Sequence, residues 1–139
     1  MNIQEIQDDI VAEFSMFEDW MQRYEYIIDL GKGLPIIDST YKTDENLIIG
    51  CQSKVWVYAH LIDDKVIFTA DSDAILTKGI IGILIRAFSN QTPMAILDAN
   101  TDFIDQIGLK EHLSPTRANG LVSMIKQIKM YALAFSSKK

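Results

Sequence analysis

Apolar residues recur every three or four positions at Ile3, Ile6, Ile10, Phe14 and Phe17, which predicts a first amphipathic helix. Asp19 is placed to cap a second helix with Trp20, Tyr24, Ile27 and Ile28 along its apolar stripe. Gly31 and Gly33 followed by Pro35 end it. The two helices are expected to pack as an antiparallel pair, with Arg23 and Lys32 as solvated charges. Residues 36–46 read as a polar connection rich in turn-forming side chains.

The period then changes. Three strands are expected, over 47–49, 54–62 and 65–70, the last two joined as an antiparallel hairpin through Asp63-Asp64 without a glycine. Segment 54–62 is largely apolar on both faces, which predicts a strand covered at least in part on both sides. His60 falls within it and reads as a hydrogen-bonded strand histidine. Asp71-Ser72-Asp73 offers a helix start. The next helix, about 74–90, is apolar nearly all round and is expected to be the central buried one, with Gly79 and Gly82 marking close packing. Thr92-Pro93, Thr101-Asp102 and Ser114-Pro115 open three further helices. The last runs over about 115–135, with Leu121, Met124, Ile125, Ile128, Tyr131 and Ala132 inward. The sum is an α+β fold in one domain across residues 1–139, with helices packed on a small three-stranded antiparallel sheet.

Composition narrows the function. The 139 residues carry 13 basic and 19 acidic side chains, a formal net charge of -6, which argues against a nucleic-acid footprint. The most apolar stretch, 79–85, is bounded by Lys78 and Arg86 and is too short for a membrane helix. The N-terminus lacks the basic start and apolar core of a signal peptide, which fits a cytoplasmic setting. One cysteine and two histidines, His60 and His112, give no zinc spacing, and the six methionines read as core filler or chance. No glycine-rich phosphate loop follows a strand.

The lone cysteine, Cys51, is therefore the candidate for chemistry. It follows Gly50 and precedes Gln52-Ser53, between two strand-like runs, where a glycine can set the thiol at the tip of a turn. Local sequence alone leaves two readings open. A free cysteine is often a buried small hydrophobe. A reactive thiol would need a cation or a helix N-terminus brought in by the fold.

The wider pattern resembles the SufE family. The segment from Thr43 to Val57 around Gly50-Cys51-Gln52-Ser53 carries the resemblance, with Trp20, Arg23-Tyr24-Glu25-Tyr26 through Pro35 upstream. Asp71-Ser72-Asp73-Ala74, Lys78-Gly79, Thr92-Pro93 and His112 through Leu121 follow in order downstream. The resemblance implies a fold similar to that of SufE and IscU-like proteins. It implies a sulfur acceptor that takes persulfide sulfur from a SufS-like cysteine desulfurase onto Cys51, stimulates that enzyme, and passes the sulfur to an iron–sulfur scaffold complex. Such a protein is a relay partner and activator, not a stand-alone enzyme. It binds no cofactor itself, while the partner desulfurase uses pyridoxal phosphate. It acts as a monomer or homodimer without nucleic acid or membrane. A cluster scaffold needs several thiolate ligands, and this chain has one cysteine.

The resemblance further implies that Arg117 lies near the cysteine loop as a stabiliser of thiolate or persulfide. It places Gly50, Gln52, Ser53, Asp71 and Asp73 in the loop and in partner docking, although helix capping alone also accounts for Asp71 and Asp73. Family members turn the resting cysteine toward an apolar cavity, here expected to be lined by Trp56, Val57 and helix 74–90. Three alternatives stay open: an acceptor for a parallel desulfurase system, a free-standing thiol enzyme (with no evident resolving cysteine), and an interaction module with an inert buried Cys51.

Overall fold

The computed structural model describes residues 2–51 and 53–137. Helix α1 covers Ile3–Ser15 and starts in a reciprocal capping box between Asn2 and Glu5. Helix α2 covers Trp20–Gly31, and the Asp19 carboxylate accepts from the Gln22 amide as expected. Ile3, Ile10 and Phe14 are buried from α1 and Ile27 from α2. The two helices touch through Phe14, Phe17 and Tyr26, but both are organised on a third helix rather than on each other.

That helix is α3, Ile75–Phe88, with ten of its fourteen residues buried. Its glycines explain how α2 gets so near. A Cβ on Gly79 would stand 2.1 Å from the Ile27 carbonyl oxygen, and one on Gly31 would stand 2.9 Å from the Gly79 amide nitrogen. The two backbones therefore meet directly. Arg86 near the end of α3 forks onto both oxygens of Glu13 in α1, and the Tyr26 hydroxyl donates to the same carboxylate. Hydrogen bonding from Arg86 is the main reason the Glu13 carboxyl sits below its ordinary range.

The sheet is smaller than the hydrophobic pattern predicts. Strands β1, Val55–Ile62, and β2, Lys65–Ser72, form a two-stranded antiparallel hairpin with Val55 opposite Ser72 and Ile62 opposite Lys65. Asp63 and Asp64 both take left-handed φ, 51° and 65°, so two aspartates do the work usually given to glycine. The expected third strand, 47–49, is a single bridge from Leu47 to Trp56, with the Ile48 amide donating to Val55 O at 2.8 Å. A 3-10 turn at Asp44–Asn46 precedes it and Gly50 at φ 99° follows, which leaves too few extended residues for a ladder. On the other edge, Ile36 bridges Ala70 in parallel and Ile37 is buried, so the connection 36–46 is not wholly polar.

Along β1, Val55, Val57 and Ala59 are buried against the helices, while Trp56, Tyr58 and His60 are half covered. Tyr41, from a 3-10 turn at Ser39–Tyr41, stacks on Tyr58 at 3.8 Å, and Lys42 lies over Trp56 at 4.6 Å. His60 sits beside Tyr58 on this outer face.

Three short helices follow: α4, Pro93–Asp98; α5, Asp102–Gln106; and α6, Leu109–His112. Thr92 caps α4 ahead of Pro93, as the sequence predicts. Helix α7, Pro115–Ser136, is capped by Ser114 and buries Gly120, Leu121, Met124, Ile128 and Ala132. The Tyr131 hydroxyl lies within hydrogen-bonding distance of Asn46 Oδ1, at 2.8 Å, and Val57 O, at 3.1 Å, and so pins α7 to β1 and to the segment leading into Cys51. Arg23 is not solvated: it donates to the carbonyls of Phe17 and Ile107. Lys32 is, pairing with the exposed Asp29. Of the methionines, Met124 is core, whereas Met16, Met21, Met94 and Met130 are exposed. Among the described residues no helix is long and apolar enough to cross a membrane.

The glycine contact yields a paired expectation. Gly79→Ala lowers unfolding free energy by about 3 kcal/mol in urea titration, because backbone must move to admit the methyl. At Gly82 the nearest atom to an added Cβ is 3.7 Å away. Gly82→Ala is therefore neutral or stabilising by up to about 1 kcal/mol through helix propensity. Equal costs at both sites would contradict this account.

Candidate functional site

Cys51 lies half buried on the loop between the Leu47 bridge and β1. The loop is shaped by contacts to α7. Gly50 has φ 99°, and a Cβ there would stand 2.9 Å from Ser123 Oγ. The backbone angle therefore favours glycine, and an added Cβ would also have to displace the Ser123 side chain. On the other side, a Cβ on Gly120 would stand 3.2 Å from Cys51 Sγ, and the thiol donates to Gly120 O at 3.7 Å. Two glycines, one in the loop and one in the helix, let the loop press its cysteine against α7.

The far end of the loop is held by Asp73. Its carboxylate accepts from the Lys54 amide at 3.0 Å, and its own amide donates to Lys54 O at 3.2 Å. Asp71 binds Lys42 at 2.9 Å and Lys78 at 3.7 Å. Burial alone would raise the Asp71 carboxyl, but hydrogen bonds from Lys42 and the Ser72 amide, with the nearby lysine charges, outweigh it and hold it below its ordinary value. The capping reading of this segment does not hold. Strand β2 runs on through Ser72, the N-cap of α3 is Ala74, and no side chain accepts from the first turn there.

Beside Cys51 is a cleft of about 10 Å³, room for about one water-sized group. It is lined by Cys51 and Ser53 from the loop, Thr77 and Ile80 from α3, and Arg117, Gly120 and Met124 from α7. The expected wall of helix 74–90 is there. Trp56 and Val57 are not among the lining residues. Val57 is fully buried in the core and Trp56 faces Lys42, because strand alternation sends them to opposite sides of the sheet. The structure thus brings together Gly50, Cys51, Ser53 and Arg117, while Gln52 lies outside the described residues. Gly120, Ser123, Thr77 and Met124 were not singled out for the site from sequence. Gly120, inside an otherwise helical pattern, was the one available signal for a close approach.

The electrostatics describe a guarded thiol. Burial pushes the Cys51 thiol above its ordinary range. Its only hydrogen-bond partner among the described residues is a carbonyl, which accepts from S–H and disfavours the anion. Arg117 is exposed at the third position of α7, where its amide donates to Ser114 Oγ at 3.3 Å. Its side chain lines the same cleft as Cys51. Among the described residues no group of three or more His, Cys, Asp or Glu side chains is placed to hold a metal. His112 instead stacks on Trp20 at 4.4 Å.

Two outcomes follow for the isolated protein. Alkylation of native Cys51 rises with pH to an inflection above that of the same chain unfolded in urea, since burial favours the neutral thiol; coincident inflections would contradict this. Gly120→Ala gains helix propensity but crowds Sγ. It should keep the fold and label several-fold faster at neutral pH. An unchanged or slower rate would remove the Gly120 seat from the account.

Known proteins share both the sequence pattern and the fold. The family model described as SufE, Fe-S metabolism associated domain, matches residues 8–132. An uncharacterized SufE-like protein of Rhizobium meliloti is 40% identical over 131 residues, covering 90% of this chain and 93% of that protein. An uncharacterized SufE-like protein of Synechocystis is 38% identical, covering 91% of this chain and 79% of its own length. SufE-like protein 1 of Arabidopsis thaliana, chloroplastic/mitochondrial, is 38% identical over 94% of this chain, which corresponds to 35% of that longer protein. The solution structure of a hypothetical protein from Thermus thermophilus shares the fold, with a TM-score of 0.80 at 18% identity over 96% of this chain and 97% of that one. With its half-buried cysteine on a glycine-turned loop in a small α+β domain, the chain belongs to the SufE family of Fe–S metabolism.

Proposed function

We propose that this protein is a sulfur acceptor and carrier. Cys51 takes a sulfane sulfur from the active-site persulfide of a SufS-like cysteine desulfurase, relieves that enzyme, and delivers the sulfur to an iron–sulfur scaffold complex. The observation that carries the reading is the seat of Cys51. The thiol is held half buried against Gly120 on a loop turned by Gly50, with a cleft beside it sized for one further atom.

The chemistry is an exchange without net oxidation. The Cys51 thiolate attacks the terminal sulfur of the donor persulfide. A new bond forms from Sγ to that sulfur, the donor S–S bond breaks, and the donor cysteine leaves as thiolate with the bonding electron pair. The proton of Cys51 must go to solvent or to a base at the docked interface. Burial makes the thiolate scarce in the free protein, so the partner has to draw the loop away from Gly120 O. Outward movement brings the sulfur toward Arg117, whose guanidinium favours the anion.

Asp73 fixes the trailing end of the loop at Lys54. Asp71 is neutralised by Lys42 and Lys78 and so shapes the loop surroundings rather than offering a bare charge to a partner. Exposed Ile49 beside the loop and Ile75 at the start of α3 supply apolar surface for docking. The protein is an activator with one transfer per encounter and not a free-standing enzyme. The inert-module reading is favoured by one observation, the burial that raises the thiol. It predicts no dependence on Cys51 chemistry.

The test is cysteine turnover by a SufS-like desulfurase with the protein added. Cys51→Ser folds normally and gives no stimulation. Arg117→Ala keeps wild-type stability and stimulates about three- to tenfold less, in line with losing a charge-assisted contact. Full stimulation by Cys51→Ser sinks the acceptor reading. Wild-type stimulation by Arg117→Ala removes Arg117 from the mechanism.

A further inference from the structure

The segment leading into Cys51 has no strand ladder to hold it. Leu47 makes a single bridge to Trp56, the Ile48 amide donates to Val55 O, and Ile49 beyond them is exposed. A lone bridge leaves a segment room to slip where a full ladder would fix its register. The position of the thiol therefore needs other bonds, and one side chain supplies them. Asn46, immediately before the bridge, uses both ends of its amide. Its Nδ2 donates to Tyr41 O at 2.7 Å, and its Oδ1 accepts from the Tyr131 hydroxyl at 2.8 Å. Only this orientation serves both partners, because a reversed amide would turn its oxygen on the Tyr41 carbonyl. The same Tyr131 hydroxyl lies 3.1 Å from Val57 O.

The place of Tyr131 on α7 gives this bond its consequence. It stands three helical turns after Gly120, so both residues lie on one face of α7, about 16.5 Å apart along the axis. At one end of that face Gly120 O accepts from the Cys51 thiol, and at the other Tyr131 holds Asn46. The ring of Tyr131 is itself seated between Phe68 and Phe135, which gives its hydroxyl a fixed address. The cysteine segment is thus tied to α7 at two points. Clearance at the Gly120 end is small, since an added Cβ there would stand 3.2 Å from Sγ. A slip of the segment along α7 takes the sulfur off its carbonyl.

We infer that Asn46 and Tyr131 form a latch that holds Cys51 in its seat against Gly120. Neither residue touches the sulfur. Both are positioning residues, acting through the segment 46–51, and together they do what a third strand would have done. The latch sets how readily the thiol is released from its seat. The inference deepens the acceptor reading above and rests on it for its biological meaning.

The test uses the isolated protein. The pH dependence of Cys51 alkylation by iodoacetamide is followed by intact mass in wild type, Asn46→Ala, Tyr131→Phe and the double variant. Ile10→Val, a core change on α1, controls for general loosening. Tyr131→Phe removes one hydroxyl and leaves the ring packed, so it reads the latch even where Asn46→Ala perturbs the fold. Either single substitution frees the thiol from burial and from its carbonyl. The inflection then moves down toward that of the unfolded chain, and labelling at neutral pH is about three- to tenfold faster, a full pH unit being tenfold in thiolate. The double variant moves it no further than the larger single change, because both cut one bond. Ile10→Val keeps the wild-type inflection. Unmoved profiles in both single variants overturn the latch, as do additive shifts in the double variant or an equal shift in Ile10→Val. A wild-type chain that takes no sulfur from a desulfurase, yet shows the coupled shift, refutes the relay reading and leaves the latch standing. Unmoved profiles in a chain that does take sulfur remove the latch alone.

Discussion

The direct backbone contact between Gly79 and the Ile27 carbonyl sets where everything else can lie. It draws α3 against α2 so closely that α3 becomes the buried axis of the domain. The hairpin and α7 then close over it. The cysteine loop has no ladder of its own. It is strung between the Leu47 bridge and the Asp73–Lys54 bonds, and its position is inherited from α3 on one side and α7 on the other. That helix interface positions α3, which forms one wall of the cleft beside Cys51.

The thiol suits the proposed carrier role better than that of a stand-alone catalyst. A stand-alone thiol catalyst benefits from a permanently lowered pKa and open access. Cys51 has the reverse: burial raises it and a carbonyl receives its proton. A carrier gains from such restraint, because an idle thiolate reacts with whatever arrives. Arg117 on α7 lines the cleft beside the loop, while the resting sulfur bonds Gly120 O. Gly50, with its left-handed backbone, sets how the loop presents Cys51 to α7.

Much of this was legible in the sequence, and the failures have physical causes. Helices announced themselves through three-and-four spacing and through Asp19, Thr92-Pro93 and Ser114-Pro115, because caps are local chemistry. Cys51 stood out because it is alone and follows a glycine. The run Leu47-Ile48-Ile49 was misleading, since three apolar residues satisfy a strand pattern whether or not a ladder forms. Ile49 in fact stands 89% exposed. Asp71-Ser72-Asp73 has capping composition but spends its carboxylates on Lys42, Lys78 and the Lys54 amide, partners set by tertiary structure. Arg23 reads as a surface charge until Ile107, 84 positions on, supplies a carbonyl. Gly120 and Ser123 touch the cysteine loop only because α7 crosses it, and no local pattern encodes a crossing.

The central claim is that Cys51 receives a sulfur atom from a partner enzyme and holds it. Intact-mass spectrometry after incubation with a cysteine desulfurase and cysteine tests it most directly, with and without a reductant. The account predicts a gain of one sulfur atom on the wild-type chain that a reductant removes and that Cys51→Ser never shows. An unmodified mass with desulfurases proven active on another acceptor would contradict it.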